Sequence, residues 1–571
     1  MNQTSPAIVA QSAVRRFPRP VLLVFCLAYV LAGFVGREAW KSADMAALGF
    51  MHALARGASD WWNPTLAGFA PEQPALLPYW LGAWAILARP AGMAFDFAAR
   101  IPFGLLLGLS MVGTWYGTYY LARSPWAQPV AFAFGGEAQA TDYARTVADG
   151  GVLAFMACLG LAHLSHETTP ALAQLGFTAL LFFAIAALPY RPYQASTALV
   201  VGASGLALSG APAVTLLLCS GAALLHALDR SPTQHPNPLA KSPRLQAALV
   251  LSVGLASAAL AHGLHLWKWK ISIGTRWEEW RGLGELLVWF SWPAWPLVLW
   301  TLWHWRHRLL GANPNRHLLL PLWFAAVTVG SSLLTGASDR TLLLALPALA
   351  ALAAFSLPTL KRQVAALVDW FTLFFFSGCG IIIWVVWIAM HTGVPSQPAA
   401  NVARLAPDFQ PSFSFAAFSI ALCATLVWGW LVHWRVGRHR AALWKSLVLP
   451  AGGAGWCWLL LMTLWMPLLD HAQSYTTLVA QVRKATATTS PDAGCIAAAY
   501  VPQGTLAALV SYGGLDVRPL GRAPACPWLL TEAGEGQGAP QQIDTQNWGE
   551  AKRIANAVGH NEDLWLLRRL P

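Results

Sequence analysis

The residues best suited to chemistry in this chain follow its first apolar run, in the stretch Arg37-Glu38-Ala39-Trp40-Lys41-Ser42-Ala43-Asp44. Asp44 opens a segment in which Met45, Leu48, Met51 and Leu54 recur at helical spacing, which predicts an amphipathic helix lying at a membrane interface. A carboxylate held there can serve as a general base toward a hydroxyl. The plain alternative is that Ser42 or Asp44 caps the helix. Arg37 and Lys41 equally fit snorkelling toward headgroups or pairing with Glu38. Only 11% of the 571 residues are charged while 56% are hydrophobic, so a charge cluster at this point asks for a reason.

Other candidates are more scattered. Asp149 precedes Gly150 at the start of an apolar run, where it is either a helix cap or a second carboxylate that orients the base. Arg276 lies in the segment 266–283, which mixes Trp with both signs of charge and suits an interfacial anchor or a contact surface above a cavity. His163 and His166 stand at i, i+3 and read as a satisfied interfacial pair. His304 and His307 lack acidic or Cys companions and are not expected to form a metal centre; no cofactor is expected for the chain, with a divalent metal kept as the alternative. The chain has no phosphate-binding P-loop, zinc motif or nucleophile elbow.

The elements that position these residues are membrane helices. A mean hydropathy of +0.48 and repeated apolar runs mark a polytopic helical protein, because backbone polar groups in hydrocarbon must pair within their own segment. Many of the 31 Trp fall near the ends of those runs, as interfacial belts do. The net charge of +12 sits in short loops, including Arg15, Arg16 and Arg19, and works as a topology signal, so no nucleic-acid partner is implied. The run from Pro20 to Gly36 lacks a small-residue cleavage site and is expected to stay as an uncleaved first span with a cytoplasmic N-terminus.

Further spans are expected near 76–94, 101–122, 150–166, 170–188, 195–227, 247–265, 284–303, 318–335, 341–357, 366–390, 412–433 and 445–468, about thirteen in all. The long segment 195–227, with Ser209-Gly210-Ala211-Pro212 at its centre, is taken as one broken crossing on the flanking-charge rule. The outside then receives 37–75, 123–149, 189–194, 266–283, 336–340, 391–411 and everything after about 469. The expected organisation is a transmembrane domain over 1–469, with its first periplasmic loop at 37–75, and a soluble domain over 470–571.

That tail is expected to be α/β. Cys495-Ile-Ala-Ala-Ala-Tyr-Val and Leu564-Trp-Leu-Leu-Arg read as buried strands, and Thr505–Tyr512 and Trp548–Val558 as helices. Cys495 and Cys526 are the tail's two cysteines and form either a disulfide or two small buried thiols.

Downstream of Asp44 come Asp60-Trp61-Trp62-Asn63-Pro64 and Pro71-Glu72-Gln73-Pro74-Ala75-Leu76, then Tyr79-Trp80. An acidic first loop, an interfacial helix ending in Asp-Trp, a Pro soon after, and a Glu-Lys-Pro-Pro-Leu-like segment before Tyr-Trp resemble the C-type (GT-C) membrane glycosyltransferases. The branch is that of the protein O-mannosyltransferases and lipid A aminoarabinose transferases. Tyr143 to Asp149, Ser209 to Pro212 and Asp339 to Pro347 resemble later segments of that family in order and placement. The chain departs from it in having Met45 where Glu follows the first-loop Asp, Gln73 in place of Lys, and no Lys before Gly210.

The resemblance implies an all-α polytopic GT-C domain with a small C-terminal α/β periplasmic domain, in a bacterial inner membrane. It implies inverting transfer of a sugar from an undecaprenyl-phosphate carrier to a lipid, glycan or protein acceptor on the periplasmic side. Asp44 is then the base and Asp149 a second carboxylate for base or sugar. Glu72 takes the family's Glu position, and Arg37, Lys41, Arg276 and Arg340 are the cations for the departing lipid phosphate. A transporter or flippase, or a glycan-export or assembly protein without transferase activity, is the alternative. Transporters place ionisable groups inside spans, whereas the acids here gather in loops.

Overall fold

The computed structural model describes residues 5–229, 242–267, 276–309, 315–335, 339–407, 409–437, 442–487, 494–522, 526–532, 548–554 and 564–570. Among them, eight helices are long and apolar enough to cross a membrane, or nine if Trp277–Phe290 and Ala294–His304, bent by 88°, form one span. The protein is a multi-pass membrane protein.

The first nine helices position the chemistry: α1 (Arg19–Phe34), α2 (Ser42–Ala55), α3 (Leu77–Leu87), α4 (Phe95–Ala122), α5 (Ala140–Ala157), α6 (Leu159–Leu164), α7 (Pro170–Ala187), α8 (Pro192–Leu208) and α9 (Pro212–Leu228). Pro opens or nearly opens α1, α3, α7, α8 and α9, where its missing N–H costs no helical bond. The bundle has two ends, fixed by contacts. At the first end, the strand-like segment around Ala7–Val9 bonds to Val130 and Ala138, and Leu443 and Trp444 bond to Ala13 and Arg15. At the second, Arg37 meets the start of α2, the turn between α6 and α7, and the start of α4.

Two expected crossings are corrected by these contacts. The segment expected to span at 76–94 holds only the 11-residue α3, about 16 Å at 1.5 Å per residue against a hydrocarbon core of about 30 Å. Both of its flanks stay at the Arg37 end: Leu76 N–H donates to Leu208 C=O, and Phe95 stacks on His52 of α2 at 4.3 Å. The segment 195–227 is two helices, α8 and α9, folded back on each other at Ser209–Ala211. Gly210 there has φ +91°, and a Cβ on it would lie 2.4 Å from Pro74 O. One crossing too many and one too few cancel. Loops from Leu266 onward therefore keep the side expected of them: Leu266 packs with Leu76, Arg340 pairs with Glu167, and His471 bonds Pro407 C=O. Between the two errors every side is inverted, so 123–149 and 189–194 lie at the N-terminal end, with Arg123 over the Tyr190 ring at 5.4 Å.

The tail carries a five-stranded mixed sheet in the order β2 (Val517–Pro519), β1 (Ile496–Ala499), β3 (Trp528–Glu532), β5 (Leu564–Arg569), β4 (Trp548–Ile554). β1 pairs parallel with β2 and β3, as strands linked through the helix Gln503–Ser511 do, and β5 pairs antiparallel with β3 and β4. The helix expected over Trp548–Val558 is thus corrected to strand β4 as far as Ile554. Its backbone groups pair with β5, while 555–558 lie outside the described residues. Cys495 and Cys526 are joined by a disulfide with Cα atoms 5.0 Å apart, tying the start of β1 to the start of β3.

Candidate active site at the Arg37 end

Asp44 sits in the first turn of α2, where unpaired backbone N–H groups and the helix dipole favour a negative charge. It is 1% exposed. A carboxylate so deep must be fully partnered, and it is. Its Oδ2 accepts from Arg37 Nη2 at 2.9 Å, and its Oδ1 accepts from the Thr168 backbone N–H and Thr168 Oγ1, both at 2.6 Å. Arg37 Nη2 also donates to His166 C=O at 2.6 Å, and its guanidinium lies over the Trp40 ring at 4.8 Å. Burial pushes the Arg37 guanidinium down from its ordinary range, with Asp44 opposing that shift.

A second carboxylate stands beside Thr168, on the turn between α6 and α7. Glu167, itself buried, is held between Lys41 Nζ at 2.9 Å and Arg340 Nη2 at 3.1 Å. Unlike Arg37, these two cations keep side chains about one-third and one-quarter open, at 34% and 26%. Lys41 Nζ also lies 3.2 Å from His163 Nε2. The short turn between α6 and α7 thus supplies Glu167 and Thr168 to Lys41, Arg340 and Asp44. Among the described residues no group of three His, Cys, Asp or Glu side chains is arranged to hold a metal.

The tail locks this site from outside. Asp470, beyond the helix Lys445–Leu464, accepts from Glu38 N–H at 3.1 Å and from Trp40 Nε1, and Ser474 Oγ donates to Glu38. Burial raises the Glu38 carboxyl above its usual range, and the Ser474 hydroxyl opposes that. The helix Gln503–Ser511 lies directly on α2: a Cβ on Gly49 would meet Ala507 Cβ at 2.5 Å, and one on Gly504 would meet the Ser42 backbone at 2.6 Å. This cover explains why α2 is buried almost all round, whereas an amphipathic surface helix leaves one face to water.

An apolar groove of about 1080 Å³ leads to this end. It runs between α1 and α4, lined by Leu23, Leu27, Leu31, Ile101 and Leu105 among others, from Arg16–Arg19 to Val35 and Arg100. Arg100 is 2% exposed and its Nη1 donates to Arg37 C=O, which joins the groove's end to the Asp44 cluster.

Of the residues singled out in the sequence, Arg37, Lys41, Asp44 and Arg340 come together here. Glu72 is exposed nearby, with its backbone N–H 3.4 Å from Gln503 Oε1. Arg276 is not drawn in; its exposed side chain pairs with Glu279 at 3.5 Å. Asp149 is at the opposite end of the bundle, accepting from Phe17 N–H at 3.2 Å and Trp115 Nε1 at 2.8 Å. Its expected place beside Asp44 is therefore corrected: the chain before α1 and the chain after α1 lie a helix length apart. Glu167 and Thr168 escape a reading of the sequence, because the misplaced crossing at 76–94 puts residue 167 on the wrong side; Asp470 lies on its expected side and escapes because its partners Glu38 and Trp40 are 432 and 430 residues away in the chain. The available signal was an acid in the three-residue turn Glu167-Thr168-Thr169 between two apolar runs.

No family model matches the sequence, and no curated protein does. Solved structures do. Over 96% of this chain and 98% of the other, it superposes on ArnT from Cupriavidus metallidurans bound to undecaprenyl phosphate, with a TM-score of 0.57 and 12% identity. The apo state of the same protein gives 0.56 at 12% identity, over the same shares of both chains. The archaeal oligosaccharyltransferase of Archaeoglobus fulgidus matches at 0.38 and 9% identity, over 88% of this chain and 64% of that one. A helical membrane domain followed by a small C-terminal sheet, superposing on ArnT over nearly the whole length of both chains, gives this chain a GT-C glycosyltransferase fold.

Proposed function

We propose that the chain is an inverting glycosyltransferase that moves a sugar from a polyprenyl-phosphate carrier to an acceptor hydroxyl at the Arg37 end. One observation carries this reading. Two buried carboxylates, Asp44 and Glu167, and the part-open cations Lys41 and Arg340 share one site, and an apolar groove ends at Arg100, which bonds the Arg37 carbonyl of the same cluster. A lipid-borne substrate fits a groove open along exposed apolar residues of α1. The bound undecaprenyl phosphate of the ArnT structure supports the same class of carrier.

In this reading Thr168 Oγ1–H, donating to Asp44 Oδ1, marks where an acceptor hydroxyl docks. Asp44 takes the proton as the acceptor oxygen bonds to the anomeric carbon from the face opposite the phosphate. The bond from that carbon to the phosphate oxygen breaks, and its electron pair leaves with the lipid phosphate. Lys41 and Arg340 face that developing charge. Glu167 already holds them at the spacing of two carboxylate oxygens, and a phosphate presents a similar pair.

We further infer that the Arg37 end and the domain 470–571 are periplasmic and the N-terminal end cytoplasmic in an inner membrane. Arg16, Arg19, Arg123, Arg145, Arg306 and Lys361 support this, lying in or beside the connections at the N-terminal end. The acceptor is a hydroxyl-bearing lipid, glycan or protein.

The test is transfer of labelled sugar from undecaprenyl-phosphate sugars by the purified protein in vesicles. Lys41→Ala and Arg340→Ala are each expected to raise the carrier KM about ten- to hundredfold, the scale of one lost charge-assisted bond of about 1.5–3 kcal/mol. Absence of transfer from every carrier sugar, or an unchanged KM in both variants, would contradict the reading.

A further inference from the structure

Away from the Asp44 cluster, at the other end of α2, lies a crevice of about 630 Å³ that the proposed transfer does not use. Its wall is made where α2 and α3 both finish, from His52, Arg56, Ile86, Leu87 and Arg89, closed by the Pro90–Met93 turn. Both arginines are exposed, and among the described residues neither forms an ion pair with an acid. Arginines near a helix C-terminus often serve its free carbonyls. That explains little here. Arg89 Nη1 is 3.5 Å from Ile86 C=O, at the outer limit of a hydrogen bond, and the α2 terminus is closed by the Arg56 backbone N–H. Both side chains line the crevice, and among the described residues no other acceptor serves their guanidinium groups.

The setting says what kind of ligand comes there. α3 does not cross the membrane, yet it carries the exposed Trp84 and Leu87, and Trp84 joins Trp61, Trp62 and Trp80 in a cluster with ring centroids 5.4–6.4 Å apart. A Trp cluster with exposed apolar neighbours on a non-crossing helix sets the α2–α3 pair at headgroup depth. Two guanidinium forks at that depth match the paired oxygens of a phosphate. His52 fits as a neutral donor: burial and the neighbouring Arg56 and Arg89 push its imidazole down to about 4, and its ring stacks on Phe95.

We propose that this crevice binds a phosphate group at the membrane surface, with Arg56 and Arg89 as its cationic contacts. The phosphate belongs either to a phospholipid headgroup of the surrounding leaflet or to a free anion. Because α2 carries Asp44 at its other end, an occupant here braces the helix that holds the proposed base.

Native mass spectrometry of the full-length protein, offered phosphatidylglycerol and phosphatidylcholine at equal concentration, reads the site. Wild type is expected to retain phosphatidylglycerol about tenfold over phosphatidylcholine, equivalent to about 1.4 kcal/mol, and R56Q/R89Q to show a ratio near one. R56K/R89K keeps the charge and is expected to keep most of the preference. The single variants R56Q and R89Q, each losing part of it, serve where the double variant is unstable. A second arm adds inorganic phosphate at constant ionic strength. Displacement of phosphatidylglycerol with a matching rise in melting temperature assigns the site to the free anion as well, and failure to displace assigns it to the lipid. A wild type without preference, or a preference equal in wild type and R56Q/R89Q, overturns the proposal.

Discussion

Asp44 and its neighbours show how a buried carboxylate is kept at a working surface. It receives three hydrogen bonds, from Arg37 and twice from Thr168, and the turn that supplies Thr168 is itself fixed by His166. His166 stacks on Trp458 at 4.6 Å with its Nε2 2.9 Å from Tyr29 C=O, and a Cβ on Gly33 would strike its ring at 2.2 Å. Burial pushes this imidazole down to about 3 from an ordinary 6.5. The folded protein thus holds it neutral, while the unfolded chain takes up a proton below about 6.5. Stability from this site is present above about 6.5 and lost as pH falls toward about 3. The drop in melting temperature between about pH 7.5 and about pH 5 should be smaller in His166→Gln than in wild type; an equal drop would show that His166 does not govern it. In the sequence, Asp44, Arg37 and Lys41 stand out because charge is sparse. Glu167 and Thr168 do not, because a lone acid between two apolar runs looks like any loop residue until its facing partner is known.

At the scale of elements, the decisive feature is that apolar character does not reveal whether a helix crosses. α3 is as apolar as a span and carries Trp80 and Trp84, yet it is too short to cross and returns to the face it left. Conversely, 195–227 looks too long for one helix and hides two, because the break is only three residues with Pro212 restarting the second helix. Gly210 makes that hairpin possible: its φ of +91° disfavours a side chain, and the close Pro74 carbonyl leaves no room for one. Gly210→Val is expected to destabilise the folded protein by about 1–3 kcal/mol, seen as a lower melting temperature in detergent, whereas Gly92→Val, with no atom near its Cβ, should lose less. Equal loss in both would assign the cost to backbone conformation alone. In the tail, β1, β5 and the helix Gln503–Ser511 follow from their apolar patterns. The segment from Trp548 is read as helix because its alternation is weak, and pairing with β5 overrides that local tendency.

For the whole molecule, the two ends differ in charge and in what they hold. The N-terminal end gathers arginines, and Asp149 there pins the chain entering α1 through Phe17 and Trp115. The Arg37 end gathers Glu38, Asp44, Glu167 and Asp470, under a tail domain that rests on α2. The inverted segment makes this testable. Phe134 and Trp62 are both exposed and lie at opposite ends. In a background without reactive cysteines, an impermeant maleimide applied to intact cells with a permeable outer membrane should label Trp62→Cys and not Phe134→Cys. Labelling of both, or of Phe134→Cys alone, would contradict the arrangement of α3, α8 and α9. The central claim is that the reaction centre is at the Arg37 end and uses Asp44 as its base. The most direct test compares sugar transfer from a polyprenyl-phosphate donor by Asp44→Asn and Asp149→Asn at equal amounts of folded protein. The predicted result is a loss of about 10²–10⁴-fold in kcat for Asp44→Asn with transfer largely kept in Asp149→Asn; full activity in Asp44→Asn, or the loss falling on Asp149→Asn instead, would contradict it.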